Sequence, residues 1–302
     1  MAYNGAVAQI FIGTSGWSYP KGEGTWNGFF YPPGTTNELE YYSQFFSTVE
    51  INSSFYRPPN PGYAYNWARR VPAGFLFAVK LWQKFTHPKM YREATGETAA
   101  ISQEDIELFK RGIEPLVRQK KLGALLAQFP PSFKNDDYGR QILGAVIRHF
   151  GEYRLAVELR HRSWSDDANT AALLKQHDVA WVQIDEPKFA SSVASEVPLT
   201  ADMAYFRFHG RNAEMWWKGD VETRYKYLYS PEEMQELARK IQAAAQRASL
   251  LFVFFNNHWQ GYAPRNAVDC LRTLQLPLKD FTAPLAAPLE NGQAGGLSPS
   301  VP

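Results

Sequence analysis

Short runs in which hydrophobic and polar residues alternate recur along the whole chain. In one of them, residues 48–52, Val49 and Ile51 fall on one face of an extended segment, and Glu50 falls on the other. In a later run, Tyr205, Arg207 and His209 share a face opposite two phenylalanines. Eight runs of this kind are predicted as strands: residues 9–13, 48–52, 75–80, 122–128, 154–159, 179–185, 204–209 and 250–256.

Most of these runs are separated by segments with apolar residues at helical spacing. The clearest start is Ser230 as N-cap, with Pro231 in the first helical position and Glu233 in the third. Six helices are predicted: residues 37–46 after a cap at Thr36, 105–120, 138–150, 167–177, 231 to about 247, and 264 to about 274. Strands that alternate with helices predict a parallel sheet.

Eight strand–helix units in one chain favour an α/β fold of the closed (β/α)8 TIM-type barrel over an open sheet. The barrel is predicted as a single domain over residues 1–281, and the Ala-, Pro-, Gly- and Ser-rich tail 282–302 as disordered. The first strand is not followed by a Gly-x-Gly-x-x-Gly motif, and no Walker-type loop occurs. Nucleotide-binding folds therefore lose support.

Composition narrows the range of functions only a little. The 32 basic and 30 acidic residues leave a net charge of +2, which argues against a surface that coats a polyanion but leaves a local basic cleft open. The single cysteine, Cys270, rules out an intrachain disulfide and a cysteine-based zinc site. Residues 1–8 do not read as a secretory signal, and no run approaches the ~20 apolar residues of a membrane span, so the cytoplasm is the simplest compartment.

Candidate chemistry lies where the predicted strands end, because the catalytic residues of parallel barrels sit at the carboxyl ends of the strands. Polar residues on the predicted inner face there give the candidate catalytic set Glu50, Lys80, Glu158, Asp185 and His209. Side chains at the strand ends and in the aromatic, basic loops that follow give the candidate substrate-binding set Trp17, Tyr19, Asn52, Tyr56, Arg57, Gln128, Arg160, His161, Trp164, Arg211, Asn256 and Asn257.

Three chemistries remain open for these residues. Glu50, Glu158, Asp185 and His209 are the ligand types of a divalent metal ion, Mg or Mn first and Zn also. In a metal-free hydrolase, Lys80 beside Glu50 would keep that carboxylate ionised and Glu158 would donate the proton. In the third, Lys80 is a Schiff-base amine, and the competing interpretation is a structural ion pair with Glu50.

Several of these strand ends and loops also carry motifs that resemble one known family. They are residues 13–19 (GTSGWSY), 49–57 (VEINSSFYR), 77–80 (FAVK), 128–133 (QFPPSF), 156–164 (AVELRHRSW), 209–210 (HG), 255–257 (FNN) and 261–264 (GYAP). In collinear order they resemble the YecE-like family, catalogued as domain of unknown function 72. The resemblance implies a TIM-type barrel and supplies no reaction. Residues 21–28 look longer than the family's usual first loop, and His258-Trp259 stands where the family often has an acidic residue that could be a metal ligand.

We therefore expect an enzyme of the hydrolase or lyase type that acts on a polar, sugar- or phosphate-bearing substrate at the carboxyl end of the barrel. The alternative is a non-catalytic protein that binds a nucleic-acid end or another anionic ligand, with Arg57, Arg160, Arg162 and Arg211 on phosphates. If Glu158 faces a solvated pocket, Glu158→Gln is expected to cost little stability.

Overall fold

Nine parallel strands form a nearly closed barrel in the computed structural model, which describes residues 7–218 and 221–278. The strands are β1 (Gln9–Thr14), β2 (Thr48–Ile51), β3 (Leu76–Lys80), β4 (Leu122–Gln128), β5 (Leu155–Glu158), β6 (Ala180–Trp181), β7 (Gln183–Asp185), β8 (Met203–Phe208) and β9 (Leu250–Phe255). They form two arcs, in the orders β2-β3-β4-β5-β6 and β7-β8-β9-β1. The predicted TIM-type fold is confirmed. The sixth predicted strand, residues 179–185, is divided at Val182 into β6 and β7.

A glycine and a tyrosine join the two arcs where β1 meets β2. A Cβ atom on Gly13 would lie 2.1 Å from the carbonyl oxygen of Thr48, so only glycine allows this approach. The Tyr42 hydroxyl accepts from the Thr14 N–H at 2.8 Å and donates to the Thr48 carbonyl at 3.0 Å. It thereby satisfies backbone groups that would otherwise be buried without partners at this junction. One bridge, between Ser15 and Glu50, continues the sheet here.

The helices pack around the barrel and are generally started by side-chain caps. They are α1 (Glu38–Tyr42), α2 (Pro61–Arg69), α3 (Gln83–Thr86), α4 (Pro88–Thr95), α5 (Gln103–Arg118), α6 (Asp137–Phe150), α7 (Arg162–Ser165), α8 (Ala168–Gln176), α9 (Val221–Arg224), α10 (Pro231–Ala245) and α11 (Tyr262–Thr273). The predicted capping box of Ser230 and Glu233 is confirmed. Helices α2, α3, α4, α7 and α9 were not predicted; the Pro-, Gly- and Asn-rich sequence of α2 is typical of a loop, although Asn60 caps it.

A large cluster of buried apolar side chains fills the barrel and the layer between its strands and helices. None of the described helices is long and apolar enough to cross a membrane. The predicted disordered tail, residues 282–302, lies outside the described residues.

Candidate active site at the carboxyl end of the barrel

Arg207 on β8 lies between two carboxylates at the carboxyl end of the barrel, which we call the mouth. Its Nε and Nη2 donate to the two oxygens of Glu50 at 3.0 and 2.7 Å, and its Nη1 donates to Glu158 at 2.7 Å. The Tyr205 hydroxyl donates to Glu50 at 2.8 Å. Both carboxylates are wholly buried, so these bonds replace the water that each would otherwise need. We call Glu50, Arg207, Glu158 and Arg160 the arginine–carboxylate cluster.

Arg160 extends this cluster toward β7 and β8. Its Nε donates to Glu158 at 2.6 Å, and its Nη2 lies 3.1 Å from Nε2 of His209. Burial alone would raise the pKa of Glu158, but Arg160 and Arg207 hold that pKa well below its ordinary value. Burial opposes the charge of Arg207 as well, yet Glu158 and Glu50 hold its pKa well above the ordinary value. Both groups are therefore charged at neutral pH.

His209 is neutral, and its tautomer follows from its neighbours. Burial and then Arg160 lower its pKa to about 3. A guanidinium can only donate, so Nε2 accepts from Arg160 and the ring hydrogen is on Nδ1. The side-chain amide of Asn256 lies 2.9 Å from Nδ1 and must present its oxygen there. Glu158 lies farther from Nε2, at 3.8 Å, and therefore does not compete with Arg160 for this nitrogen.

Glu186 belongs to this site and was not among the residues predicted from the sequence. Its Oε2 lies 3.5 Å from Nη1 of Arg160 and has no hydrogen-bond partner among the described residues. The residue is 7% exposed. Burial raises the pKa of Glu186, with Arg160 acting against this shift. The inner face of β6 and β7 carries Ala180 and Ile184, and Glu186 is the next residue with the same parity.

Asp185 is the residue that the sequence analysis placed on this inner face, and that orientation is wrong. Asp185 pairs in register with Phe208, whereas Ile184 pairs with the inward Arg207. The apolar residues Val182 and Ile184 were assigned to the helix-facing side, but the inner face of this strand is the apolar one. Because alternate residues of a strand share a face, the sequence position that continues the inner face after Ile184 is Glu186.

Arg211, a second predicted site residue, accompanies Asp185 outside the mouth. It donates to Asp185 at 2.7 and 2.9 Å and pairs with Glu233 and Glu236 of α10. The Tyr229 hydroxyl donates to Asp185 at 2.8 Å. These contacts tie α10 to the outer side of β7, so we interpret both residues as structural.

Arg211→Met is expected to lower the free energy of unfolding by about 1 kcal/mol, because the side chain is 28% exposed and the ion pairs are partly screened. Chemical denaturation of the variant beside the wild type measures this effect. Arg162→Met is a matched control, since Arg162 pairs with Asp166 at 56% exposure and is expected to cost less. A decrease in the free energy of unfolding above about 3 kcal/mol for Arg211→Met would contradict this expectation. It would mean that the ion pairs of Arg211 contribute as much as those of a buried arginine.

Lys80, at the end of β3, is not paired as the sequence suggested. Arg207 takes the place beside Glu50, and the Lys80 ammonium makes no hydrogen bond or ion pair with the described residues. Its Nζ lies 4.1 Å from the centre of the Phe55 ring. Burial, followed by Arg207, lowers the pKa of Lys80 from 10.5 to about 7. The side chain nevertheless keeps some contact with solvent.

His87 and Gln128 continue the wall beside Lys80. His87 meets the edge of the Phe55 ring at 4.9 Å, and its Nδ1 lies 2.8 Å from the Thr86 hydroxyl. Burial and then Lys80 lower the pKa of His87 to about 3, so this imidazole is neutral. The Gln128 amide donates to the Phe129 carbonyl at 2.9 Å and also approaches His87 at 3.5 Å.

Aromatic rings form the opposite wall. The Tyr19 ring stacks on His258 with centroids 4.7 Å apart, and Tyr225 follows at 5.2 Å from His258. Tyr225 also lies 6.2 Å from His209, which connects this wall to the arginine–carboxylate cluster. At the ends of β1 and β2, Ser15 Oγ and Asn52 Oδ1 are buried with no hydrogen-bond partner among the described residues. Such atoms are costly unless water or a ligand binds them.

Three of the predicted substrate-binding residues are held in structural contacts, and a fourth lies beside a separate cavity. Trp164 is 1% exposed and its indole N–H donates to the Phe133 carbonyl at 2.9 Å. His161 caps α7 by accepting from the N–H of Ser163. Asn257 is fully buried and donates to the Tyr227 carbonyl and to Asn266 of α11 at 2.8 Å each. Trp17, the fourth, packs on Trp67 and lines a cavity of about 250 Å³ beside α1 and α2.

The remaining loop residues are open to solvent. Tyr56 is 70% exposed and Arg57 is also exposed, directly after the short 3-10 helix Ser53–Phe55. Of the predicted set, the cluster and the walls therefore include Glu50, Lys80, Glu158, His209, Tyr19, Gln128, Arg160 and Asn256, and Asn52 lies at the end of β2.

The residues proposed as metal ligands do not form a metal site. Within residues 7–218 and 221–278, no group of three or more His, Cys, Asp and Glu side chains is arranged to hold a metal ion. Arg207 binds the oxygens of Glu50 and Glu158 that a divalent cation would need, and Asp185 lies on the other side of the sheet. The donor set that the sequence suggested for Mg, Mn or Zn therefore does not fit.

The fold and the site together define a TIM-type barrel protein with an arginine–carboxylate cluster and an unpaired lysine at the carboxyl ends of its strands. The family described as "Protein of unknown function DUF72" matches residues 11–291, and the chain belongs to this family. The resemblance seen in the sequence motifs is thereby confirmed.

Relatives match over nearly the whole chain. The UPF0759 protein YunF of Bacillus subtilis is 30% identical over 281 residues, which cover 89% of this chain and 95% of that protein. A DUF72 family protein from Thermotoga maritima has a crystal structure that superposes with a TM-score of 0.77 at 36% identity, covering 88% of this chain and 99% of that one. A second, from Enterococcus faecalis, gives 0.77 at 27% identity, covering 90% and 97%.

Proposed function

We propose that this protein is an enzyme of the lyase type that acts on a polar, sugar-bearing carbonyl compound through the amine of Lys80. The observation that carries the proposal is the position of that amine. It lies at the carboxyl end of a barrel strand, it is desolvated, and no anion among the described residues pairs with it. A lysine in such a site is partly deprotonated near neutral pH and can attack a carbonyl carbon.

The surroundings support an amine mechanism over the hydrolase arrangement considered from the sequence. In that arrangement Glu158 donates a proton, yet Arg160 and Arg207 keep Glu158 ionised. The same arginines help to keep Lys80 deprotonated, because Arg207 is the charged group that lowers its pKa most. The two arginines therefore favour a neutral amine, against Glu50 and Glu158, which raise the pKa of Lys80, and they disfavour a protonated Glu158.

The polar atoms at the mouth suit a substrate with hydroxyl groups. Ser15 Oγ and Asn52 Oδ1 have no hydrogen-bond partner in the part of the chain that the structure describes, and they lie at the ends of neighbouring strands. Tyr19, His258 and Tyr225 also bring aromatic rings, against which sugars commonly pack, to the same mouth. The site is less suited to binding a phosphate group, because Arg160 and Arg207 are already bound to carboxylates.

The arginines that would bind phosphates in the nucleic-acid alternative are mostly paired already. Arg160, Arg162 and Arg211 each pair with an acidic side chain. Three of the four arginines assigned to phosphates in that alternative are therefore partly neutralised. We keep the enzyme as the proposal.

Trapping with glycolaldehyde and sodium cyanoborohydride tests the proposal at pH 7. We expect peptide mass spectrometry to find Lys80 reductively alkylated faster than the solvent-exposed Lys89, because burial lowers the pKa of Lys80 and leaves more of its amine unprotonated. Lys80→Met is expected to abolish the fast adduct and leave the slow ones. If Lys80 reacts no faster than Lys89, the proposed amine chemistry is wrong.

A further inference from the structure

Asn52 lies beside Lys80 on the wall of the mouth. The parallel pairing of β2 with β3 places Glu50 opposite Ala78, and two positions farther along the same register are Asn52 and Lys80. Alternate residues of a strand share a face, so both side chains continue the inner face on which Glu50 lies. Adjacent strands are about 4.8 Å apart, and the two side chains therefore start from neighbouring positions.

The short 3-10 helix that follows Asn52 also contacts Lys80 at two points. The Ser54 hydroxyl donates to the Lys80 carbonyl at 2.6 Å. The ring of Phe55, at the end of the same helix, has its centre 4.1 Å from Nζ of Lys80. The reactive amine is therefore turned toward the segment that Asn52 begins.

The side chain of Asn52 has an unused hydrogen-bonding atom at this place. Its Oδ1 is buried with no hydrogen-bond partner among the described residues, and the side chain does not cap the helix that follows. Leaving a buried oxygen unpaired costs free energy, so this atom is better suited to a ligand than to holding the fold. Asn52 and Lys80 each keep some contact with solvent, so one ligand can reach both. An amide oxygen only accepts hydrogen bonds, and the ligand must therefore present a donor such as a hydroxyl group.

We propose that the carbonyl compound that reacts with Lys80 is a 2-hydroxy aldehyde or ketone, and that Asn52 selects it by accepting a hydrogen bond from the hydroxyl group next to the carbonyl carbon. This inference rests on the proposed function and narrows its substrate class. Once Nζ is bonded to the carbonyl carbon, the hydroxyl on the adjacent carbon is the nearest donor that the substrate brings to the Asn52 side of the amine. Open-chain aldoses and ketoses carry this group, whereas simple aldehydes do not.

Glycolaldehyde and acetaldehyde, which differ by one hydroxyl group, test the inference. Each is incubated with the protein and sodium cyanoborohydride at pH 7, and peptide mass spectrometry follows the alkylation of Lys80 and of the exposed Lys89. The amine adds to the carbonyl carbon, water leaves with the carbonyl oxygen, and hydride from cyanoborohydride reduces the C=N bond to an amine. Dividing the Lys80 rate by the Lys89 rate removes the difference in intrinsic reactivity between the two aldehydes. In the wild type this ratio is expected to be about 10-fold higher for glycolaldehyde, because one hydrogen bond to a buried oxygen is gained.

Three variants assign the preference to one side chain. Asn52→Leu has a similar shape without a hydrogen-bonding atom, and is expected to lose the preference while it keeps most of its rate with acetaldehyde. Asn52→Asp keeps an acceptor oxygen and is expected to keep the preference, although both rates fall because a carboxylate beside Lys80 favours the protonated amine. Asn169→Leu, at an exposed position on α8, is the matched control and is expected to react like the wild type. Thermal melts establish that each variant is folded.

The results that contradict the two proposals differ. Equal ratios for the two aldehydes in the wild type, with Lys80 still labelled faster than Lys89, overturn this inference and leave the amine chemistry of Lys80 intact. This comparison needs no substitution, so it stands even if a variant does not fold. A preference that persists in Asn52→Leu overturns the role of Asn52. If Lys80 reacts no faster than Lys89 with either aldehyde, both proposals are wrong.

Discussion

Replacing Arg207 with methionine is expected to lower the free energy of unfolding by about 3–5 kcal/mol, measured by chemical denaturation at pH 7. The substitution leaves Glu50 and Glu158 buried, and the hydrogen bonds that remain to them from the described residues come from the Tyr205 hydroxyl and from Arg160. Charge that is incompletely compensated in the interior is costly because water cannot reach it. Methionine is flexible and apolar, so we expect it to fill most of the space of the Arg207 side chain. The loss of stability then mainly measures the cost of the unpaired charges.

Two comparisons make this test specific. Arg118→Met removes an arginine that is 76% exposed and pairs with Glu114, and it is expected to change stability by less than about 1 kcal/mol. Combining Arg207→Met with Glu50→Gln and Glu158→Gln removes the stranded charges, and should restore part of the loss. A loss for Arg207→Met no larger than that for Arg118→Met would contradict the idea that the cluster braces the barrel.

Replacing Lys80 with methionine is expected to have the opposite sign. The pKa of the Lys80 amine is lowered from 10.5 to about 7 in the folded protein. At neutral pH, protonation of this amine therefore favours the unfolded state. One pKa unit corresponds to about 1.4 kcal/mol, so after partial solvent screening Lys80→Met should raise the free energy of unfolding by about 2–3 kcal/mol. Such gains on removal of a reactive group are a known trade between stability and function.

The pH dependence of this gain is the sharper measurement. Between pH 7 and 10.5 the unfolded chain binds the Lys80 proton and the folded chain does not, so the wild type gains stability as pH rises. The advantage of Lys80→Met is therefore full below about pH 7 and shrinks toward pH 10.5. Lys89→Met, at an 84% exposed side chain, is the control and should show little effect at any pH. A pH-independent advantage for Lys80→Met would indicate better packing and no depressed pKa.

Glu158 illustrates how the structure changes an expectation. From the sequence, Glu158→Gln was expected to be nearly neutral for stability if Glu158 faced a solvated pocket. In the structure it is wholly buried and accepts hydrogen bonds from Arg160 and Arg207. The same substitution now leaves two buried guanidinium groups short of a negative partner and is expected to destabilise the protein. Glu158 thus has a structural role in orienting the arginines, whatever it does for a ligand.

The features that could be predicted from the amino-acid sequence are local in character. The alternation around Val49 and Ile51, together with the cap at Ser230, depends on residues that are neighbours along the chain, and local periodicity expresses such preferences directly. The order of strands and helices followed from these patterns, and so did the barrel. The parity of β2, β5 and β8 also placed Glu50, Glu158 and Arg207 on the inner face correctly.

The pairing of the charged residues could not be predicted from local sequence patterns. Arg207 is 157 positions from Glu50 along the chain, and no local pattern indicates that it would replace Lys80 as the partner of that carboxylate. The inner face of β6 and β7 is apolar, so local alternation pointed to Asp185, whereas closure of the barrel turned Glu186 inward. Long-range pairing depends on which strands the closed sheet brings side by side, and that is a property of the folded chain.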